Sequence, residues 1–286
     1  LTRIPQLTCQ QTGNETLKDK LERLRNLLGE FERVAVAYSG GVDSTLVLKV
    51  AHDVLGDNVL AVTAVSASMP HYERSAAEDV AREIGVRVAW VQTHEVGDER
   101  YVANPPNRCY FCKTDVYDEL LKAAAREGFA LLLDGTNADD VGDVRPGRKA
   151  AREHGVRSPL QEVGFTKEEI RLAARELGLP NWNLPSAPCL SSRVPYGTRI
   201  TPEVLGQIGR GECVLRERGF REVRVRHHGN VARLEVPISD FERVLAMREE
   251  IVAALKDAGY TFVALDLSGL KSGSLNLGIS NGREEA

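Results

Sequence analysis

The 286-residue sequence predicts an α/β protein: a parallel sheet with helices on both faces, followed by a second, smaller α/β domain. Three observations predict it. Short apolar runs of strand length alternate with longer stretches whose apolar residues recur every three or four positions. A turn with two glycines joins the first apolar run to the helix after it. A segment with three prolines, residues 179–188, then separates this alternation from a stretch with a different order of elements.

Residues 16–31 read as a helix, because Leu17, Leu21, Leu24, Leu27 and Leu28 fall on one face. Val34-Ala35-Val36-Ala37 follows as a buried strand. Beyond the glycines, Leu46, Val47, Val50, Ala51, Val54 and Leu55 mark one face of a helix, and residues 59–65 form the next apolar strand, completing a β-α-β unit. The alternation continues with a helix over 75–84, a strand over 87–91, a helix over 113–127, a strand over 130–133 and a helix over 167–177. Strands joined through helices pair in parallel. The prolines place the boundary between a domain of residues 16–185 and one of residues 186–280. The second reads as a helix over 202–218, strands over 222–226 and 232–236, a helix over 240–258 and a strand over 260–266.

Hydrophobic residues make up 42% and charged residues 27% of the chain, a balance that allows a sizeable core. The formal net charge of -4 argues against a surface built mainly to hold a polyanion, so nucleic acid is not the expected partner. No apolar run approaches the roughly 20 residues of a membrane-spanning helix, and no membrane partner is expected. The stretch from Leu1 to Glu15 lacks the basic and apolar regions of a signal peptide, which makes a cytoplasmic location the expectation. Five cysteines in a reducing compartment do not form a disulfide framework, so metal binding or catalysis has to be considered.

Ser39-Gly40-Gly41-Val42-Asp43-Ser44 lies between the first strand and its helix. Glycines there can take positive φ and let a ligand approach the backbone, and the helix amino terminus offers unpaired N–H groups and a dipole that favours phosphate. Ser39 and Ser44 add hydroxyls. The turn lacks the lysine of the Walker A pattern and does not match the dinucleotide fingerprint, which disfavours γ-phosphate transfer and hydride transfer. The plainer alternative is a structural turn with Asp43 or Ser44 capping the helix. Asp134-Gly135-Thr136-Asn137-Ala138-Asp139-Asp140 directly follows a later strand and reads either as a second nucleotide-side loop or as an ordinary Asx-rich turn.

Cys109 and Cys112 form a C-x-x-C pair whose thiolates can reach one metal or cluster, and a following helix amino terminus is expected to keep them deprotonated. Cys189 stands 77 residues after Cys112. Structural zinc wants four ligands, and no fourth stands at a convincing spacing; an iron–sulfur cluster with one open iron needs only three. The alternative is a buried or redox-active pair. Cys9 and Cys213 have no partner pattern.

Between Arg193 and Arg233 the chain carries nine arginines, no lysine and four glutamates, a local positive excess that invites anions. Arg224 and Arg226 fall on one face of a strand, where two guanidinium groups can clamp a phosphate. If the next strand pairs as a hairpin, Arg233 and Glu235 join that face. A solvated arginine-rich face is the alternative.

Taken together, SGGVDST, NRCYFCK, DGTNADD, RPGRKAAREHGVRSPL and APCLSSR resemble the LarE family, sulfur transferases of nickel-pincer nucleotide biosynthesis, over about residues 16 to 280. The resemblance implies a PP-loop fold, the Rossmann-like arrangement of adenine nucleotide alpha hydrolases. It also implies adenylation, by Mg and ATP, of a carboxylate of pyridinium-3,5-biscarboxylic acid mononucleotide, followed by replacement of an oxygen by sulfur. It assigns Ala37, Ser39, Gly40, Gly41, Asp43, Ser44, Ala64, Gly135 and Thr136 to the nucleotide, with Asp43 linked to Mg. Arg193, Arg224 and Arg226 fall to the substrate's phosphate, and Glu212 and Glu235 to a cation. Some members sacrifice the sulfur of one cysteine at the position of Cys189. Others carry two more cysteines and hold a 4Fe-4S cluster that delivers sulfide, and Cys109, Cys112 and Cys189 match that type. The expected partners are a small-molecule nucleotide substrate and a sulfide donor, and a homo-oligomer is compatible with the reading. The rivals are a tRNA thiolase, which would want a broad basic surface, an ammonia-using synthetase, which needs no cysteines, and a nucleotide-sensing module without catalysis.

Overall fold

The computed structural model describes residues 16–142, 146–185, 188–271 and 275; Cys9, Arg145 and Ala187 lie outside the described residues. Four apolar runs form one parallel sheet: β1 (Val34–Ala37), β2 (Val59–Val65), β3 (Val88–Gln92) and β4 (Leu132–Leu133), in the order β3-β2-β1-β4. The connecting helices are α1 (Leu17–Gly29), α2 (Val42–Leu55), α3 (His71–Ile84), α4 (Glu99–Val102), α5 (Arg108–Arg126), α6 (Pro146–Glu153), α7 (Pro159–Val163) and α8 (Lys167–Glu176). Successive strand residues face opposite ways, and both faces are apolar, as a sheet covered on both sides requires. Val34, Val36, Val59 and Ala61 share a core with Leu24 and Leu28 of α1, Leu46 and Val50 of α2 and Ile170 of α8. Ala35, Leu60 and Val62 share another with Tyr117 and Leu120 of α5 and Ala150 of α6.

The later part of the chain folds as α9 (Pro202–Glu217), β5 (Arg224–His228), β6 (Val231–Glu235), α10 (Phe241–Ala246), α11 (Arg248–Asp257) and β7 (Phe262–Leu265). β5 and β6 pair antiparallel across a turn at Gly229, and β6 pairs with β7 in parallel. One face of this sheet, with Val225, Ala232 and Leu234, packs on Leu215 and Leu255 of the helices. The other carries Arg224, Arg226 and Arg233. A further core joins the two sheets: Tyr101 and Val102 of α4 meet Leu190, Val194, Ile200 and Leu205, with Phe111 and Cys112 against them.

The elements depart from the sequence expectation in places with physical causes. The helix expected from 113 starts at Arg108, so Cys109 and Cys112 lie in its first turns rather than ahead of it. Helices α6 and α7, not anticipated, both open on a proline, which at a helix's first position removes an N–H that has no partner anyway. The helix expected over 240–258 is two helices that meet at Met247. Among the described residues no helix is long and apolar enough to cross a membrane.

Leu46 is fully buried where α2 meets the sheet. Leu46→Ala should cost about 2–5 kcal/mol, because the cavity cannot collapse between a helix and a sheet held by other contacts. Urea unfolding would read it as a lower midpoint at unchanged slope.

Candidate functional site

The site is built at the carboxyl ends of the parallel strands, where open α/β sheets bind their ligands. Ala37 ends β1, Ala64 lies one residue from the end of β2, and Gly135 and Thr136 follow β4. Gly40 has φ +77°, and a Cβ there would lie 2.8 Å from the Ala77 Cβ, so only glycine fits the turn. Within the turn, the Ser39 N–H donates to Ser44 Oγ at 3.2 Å, the two hydroxyls are 3.2 Å apart, and Ser44 Oγ donates to the Gly41 carbonyl at 3.1 Å. The turn is therefore preformed, with α2 opening at Val42.

The loop after β4 lies directly on this turn. A Cβ on Gly135 would stand 2.6 Å from Ser44 N and 3.0 Å from the Asp43 carbonyl carbon. Asp134 fixes that loop: it accepts from the Thr136 N–H and Oγ1, both at 3.0 Å, from Ser158 Oγ at 2.7 Å and from the Tyr117 hydroxyl at 3.0 Å. Burial pushes the Tyr117 hydroxyl up to about 12, so it stays protonated and can donate. Lys167, at the start of α8, reaches Asp43 Oδ2 at 2.5 Å, while Asp43 Oδ1 is buried with no hydrogen-bond partner. Asn181, from the proline segment, donates to the Gly40 carbonyl at 2.8 Å and to Thr45 Oγ1 at 2.9 Å.

The three cysteine thiols come from the start of α5 and from the segment at Cys189. Asn104 joins the two segments. It is fully buried at φ +54°, donates to the carbonyls of Pro195 and Thr198 at 2.7 and 3.0 Å, and accepts from Arg108 at 2.6 Å. Burial pushes the Cys112 thiol well above its ordinary range, and the negative charge that Cys189, Glu95 and Cys109 can carry adds to the shift. The helix start therefore does not keep Cys112 ionised as expected: desolvation outweighs it, and a metal would have to displace the proton. Glu95 is itself buried, with Oε2 unpartnered. The Cys189 segment is tied to the first sheet where the Leu190 N–H donates to the Ser68 carbonyl at 3.0 Å and Ser191 Oγ bonds the Tyr101 hydroxyl. Among the described residues no three His, Cys, Asp or Glu side chains stand close enough to hold a single metal ion.

Beyond Cys189 a pocket of about 430 Å³ is lined by Arg193, Arg226, His228 and Arg233 together with apolar groups. Arg224 lies beside it, and burial and the nearby Arg226 and Arg193 lower its pKa. Burial, Arg233 and Arg226 likewise depress His228. Three of these lining arginines are paired with carboxylates, Arg193 with Glu212, Arg226 with Glu235 and Arg233 with Asp266. Glu212 and Glu235 are not open carboxylates here. Glu212 accepts from Arg193 Nε and Nη2 at 2.8 and 3.0 Å, and Glu235 accepts from Arg226 Nε and Nη2 at 3.0 Å each. Guanidinium groups thus occupy the acids that were expected to hold a cation.

The chain is 48% identical to an uncharacterised protein of Synechocystis sp., over 91% of this chain and 98% of that protein. It is 42% identical to pyridinium-3,5-bisthiocarboxylic acid mononucleotide synthase of Lactiplantibacillus plantarum, over 91% of this chain and 95% of that enzyme. The chain belongs to the LarE family. An uncharacterised protein of Methanocaldococcus jannaschii is 29% identical over 87% of this chain and 96% of its own length. The family model described as NAD synthase matches residues 14–130, the part that contains the glycine turn. As a LarE-family member the chain is an ATP-dependent sulfurtransferase with a PP-loop fold.

Reasoning from the sequence did not find Lys167, Asn181, Glu95 or His228. Lys167 had a local signal, since Thr166 and Glu169 form a capping box that starts a helix at Lys167. Asn181 was read only as part of a proline segment, and Glu95 is a lone acid in a short turn with no pattern around it.

Gly135→Ala tests the contact between the two loops. The added methyl meets backbone rather than a flexible side chain, so the loops must part, at about 1–3 kcal/mol. ATP binding measured by calorimetry should weaken at least several-fold while the chain stays folded, and undiminished binding would show that the approach is not needed.

Proposed function

We propose that this chain adenylates a carboxylate of pyridinium-3,5-biscarboxylic acid mononucleotide with ATP and converts it to a thiocarboxylate. In this reading residues 16–185 bind the nucleotide and residues 186–280 present the substrate. One observation above all supports it: two loops able to cradle a triphosphate and three thiols from segments 77 residues apart gather at the same edge of one sheet. The backbone N–H groups of the turn, Ser39 and the start of α2 would bind the phosphates. Asp43, with its orphaned oxygen, fits a Mg ion brought by ATP, and Lys167 stands beside it to neutralise the departing pyrophosphate. The substrate carboxylate attacks the α-phosphorus and pyrophosphate leaves. Sulfur then attacks the acyl carbon of the mixed anhydride and AMP leaves, a good leaving group near neutral pH. Arg224 and Arg233 would meet the substrate's phosphate at this pocket, whose wall also contains Arg193 and Arg226, already forked onto Glu212 and Glu235.

Three soft thiol donors fit an iron–sulfur cluster, in which each iron takes one thiolate. Cys109, Cys112 and Cys189 would hold a 4Fe-4S cluster whose chemistry, when bound, is to carry sulfide at its open iron. The residues themselves contribute a partly dry wall, in which Cys112 is half-buried and Cys109 and Cys189 are exposed to incoming substrate.

Single Cys→Ala variants test this. Each of the three should lose much of the iron and all sulfur transfer while pyrophosphate release survives. If only Cys189→Ala is inactive, and the spent wild-type chain is lighter by one hydrogen sulfide on mass spectrometry, Cys189 is instead consumed as the sulfur source. Loss of pyrophosphate release with every substrate tried would overturn the adenylation itself.

A further inference from the structure

The guanidinium group is planar, and its five N–H donors form a fixed fork. When Nε and Nη2 are both engaged by one carboxylate, the direction of Nη1 is no longer adjustable. Arg193 and Arg226 are bound in this same way, Arg193 by Glu212 and Arg226 by Glu235. All four residues are buried, Arg193 at 2% exposure and both glutamates at 0%. In each pair the remaining nitrogen goes to the Cys189 loop. Arg193 Nη1 donates to the carbonyls of Pro188 at 2.5 Å and Cys189 at 3.2 Å and to Ser192 Oγ at 2.9 Å. Arg226 Nη1 donates to the Ser192 carbonyl at 2.5 Å.

The acids are anchored in turn. Glu212 Oε1 also accepts the Val225 N–H of β5 at 3.0 Å, which ties α9 to the sheet. Glu235 lies opposite Arg224 in the β5–β6 register and meets Arg233 at 3.2 Å, and Arg233 is held by Asp266 at 2.6 Å. The chain of contacts runs from rigid elements, through two carboxylates and two guanidinium groups, to three carbonyls, those of Pro188, Cys189 and Ser192, and one hydroxyl around one exposed thiol. From this we infer that Glu212 and Glu235 are positioning residues for Cys189: they aim Arg193 and Arg226, and these hold the loop that presents the sulfur. The inference rests on the reading that Cys189 takes part in sulfur transfer.

Amide hydrogen exchange on the full chain reads the loop directly, whatever the state of the thiol. In wild type the N–H groups of Leu190, Ser192 and Val194 are bonded to Ser68, Cys189 and Ser191. A glutamine amide turns an NH₂ toward one arm of the fork, where two donors cannot bond. In Glu212→Gln and Glu235→Gln these three amides should exchange about tenfold faster or more, while amides of α5 around Cys109 keep their wild-type rate. The kcat for sulfur transfer should fall with them and the KM for ATP should not move. Loop exchange unchanged in the folded variants would overturn the inference, and so would equal loosening of α5, which marks general destabilisation. Should Glu212→Gln fail to fold, Arg193→Met with Glu212→Met removes both buried charges together, and the same peptide comparison decides. Sulfur transfer that survives in Cys189→Ser would sink the reading of Cys189 without touching the exchange result, so the two ideas fail separately.

Discussion

The Arg193–Glu212 pair is the constraint around which the second half of the molecule is arranged. A guanidinium group removed from water must be neutralised and must have its N–H groups satisfied where it stands. Arg193 meets both demands with one carboxylate and the oxygens of its own loop. This sets α9 with Glu212 against β5, where Glu212 also accepts the Val225 N–H, and the same helix packs so closely on α11 that a Cβ on the neighbouring Gly211 would sit 2.9 Å from Leu255 Cδ2. A buried ion pair adds little net stability, since desolvation offsets the attraction. What it sets is geometry, and here that geometry reaches the Cys189 loop.

The first sheet supplies the other half of the site through its strand order. With β1 between β2 and β4, the glycine turn and the Asp134 loop leave the sheet side by side. Gly135 can then press against the backbone of Asp43 and Ser44, and Lys167 can close on Asp43 from α8. The thiols enter from the next strands over: Ser68 follows β2, Glu95 follows β3, and both lie in the wall that the Cys189 segment and α5 complete.

Much of this was legible in the sequence because it is written in local periodicity. Apolar spacing marks β1 through β3, α1 and α2, and the fold class follows from their alternation. The glycines of the turn mark a place where the backbone needs positive φ, as Gly40 does. The face shared by Arg224 and Arg226 follows from the two-residue repeat of a strand. Less legible were elements whose limits depend on neighbours, such as the start of α5 at Arg108, where Asn104 is held by a segment about ninety residues away.

By itself, then, the sequence determined the layers, the glycine turn and the residue types available to the site. Only the tertiary structure decided their partners. It gave Glu212 and Glu235 to guanidinium groups, brought Lys167 to Asp43 across 124 positions, and buried Glu95 beside Cys112. The physical reason is that an ion pair or a desolvated thiol depends on distance and on exclusion of water, and neither leaves a repeat in the chain. A charge is visible in a sequence, but what neutralises it is set by packing.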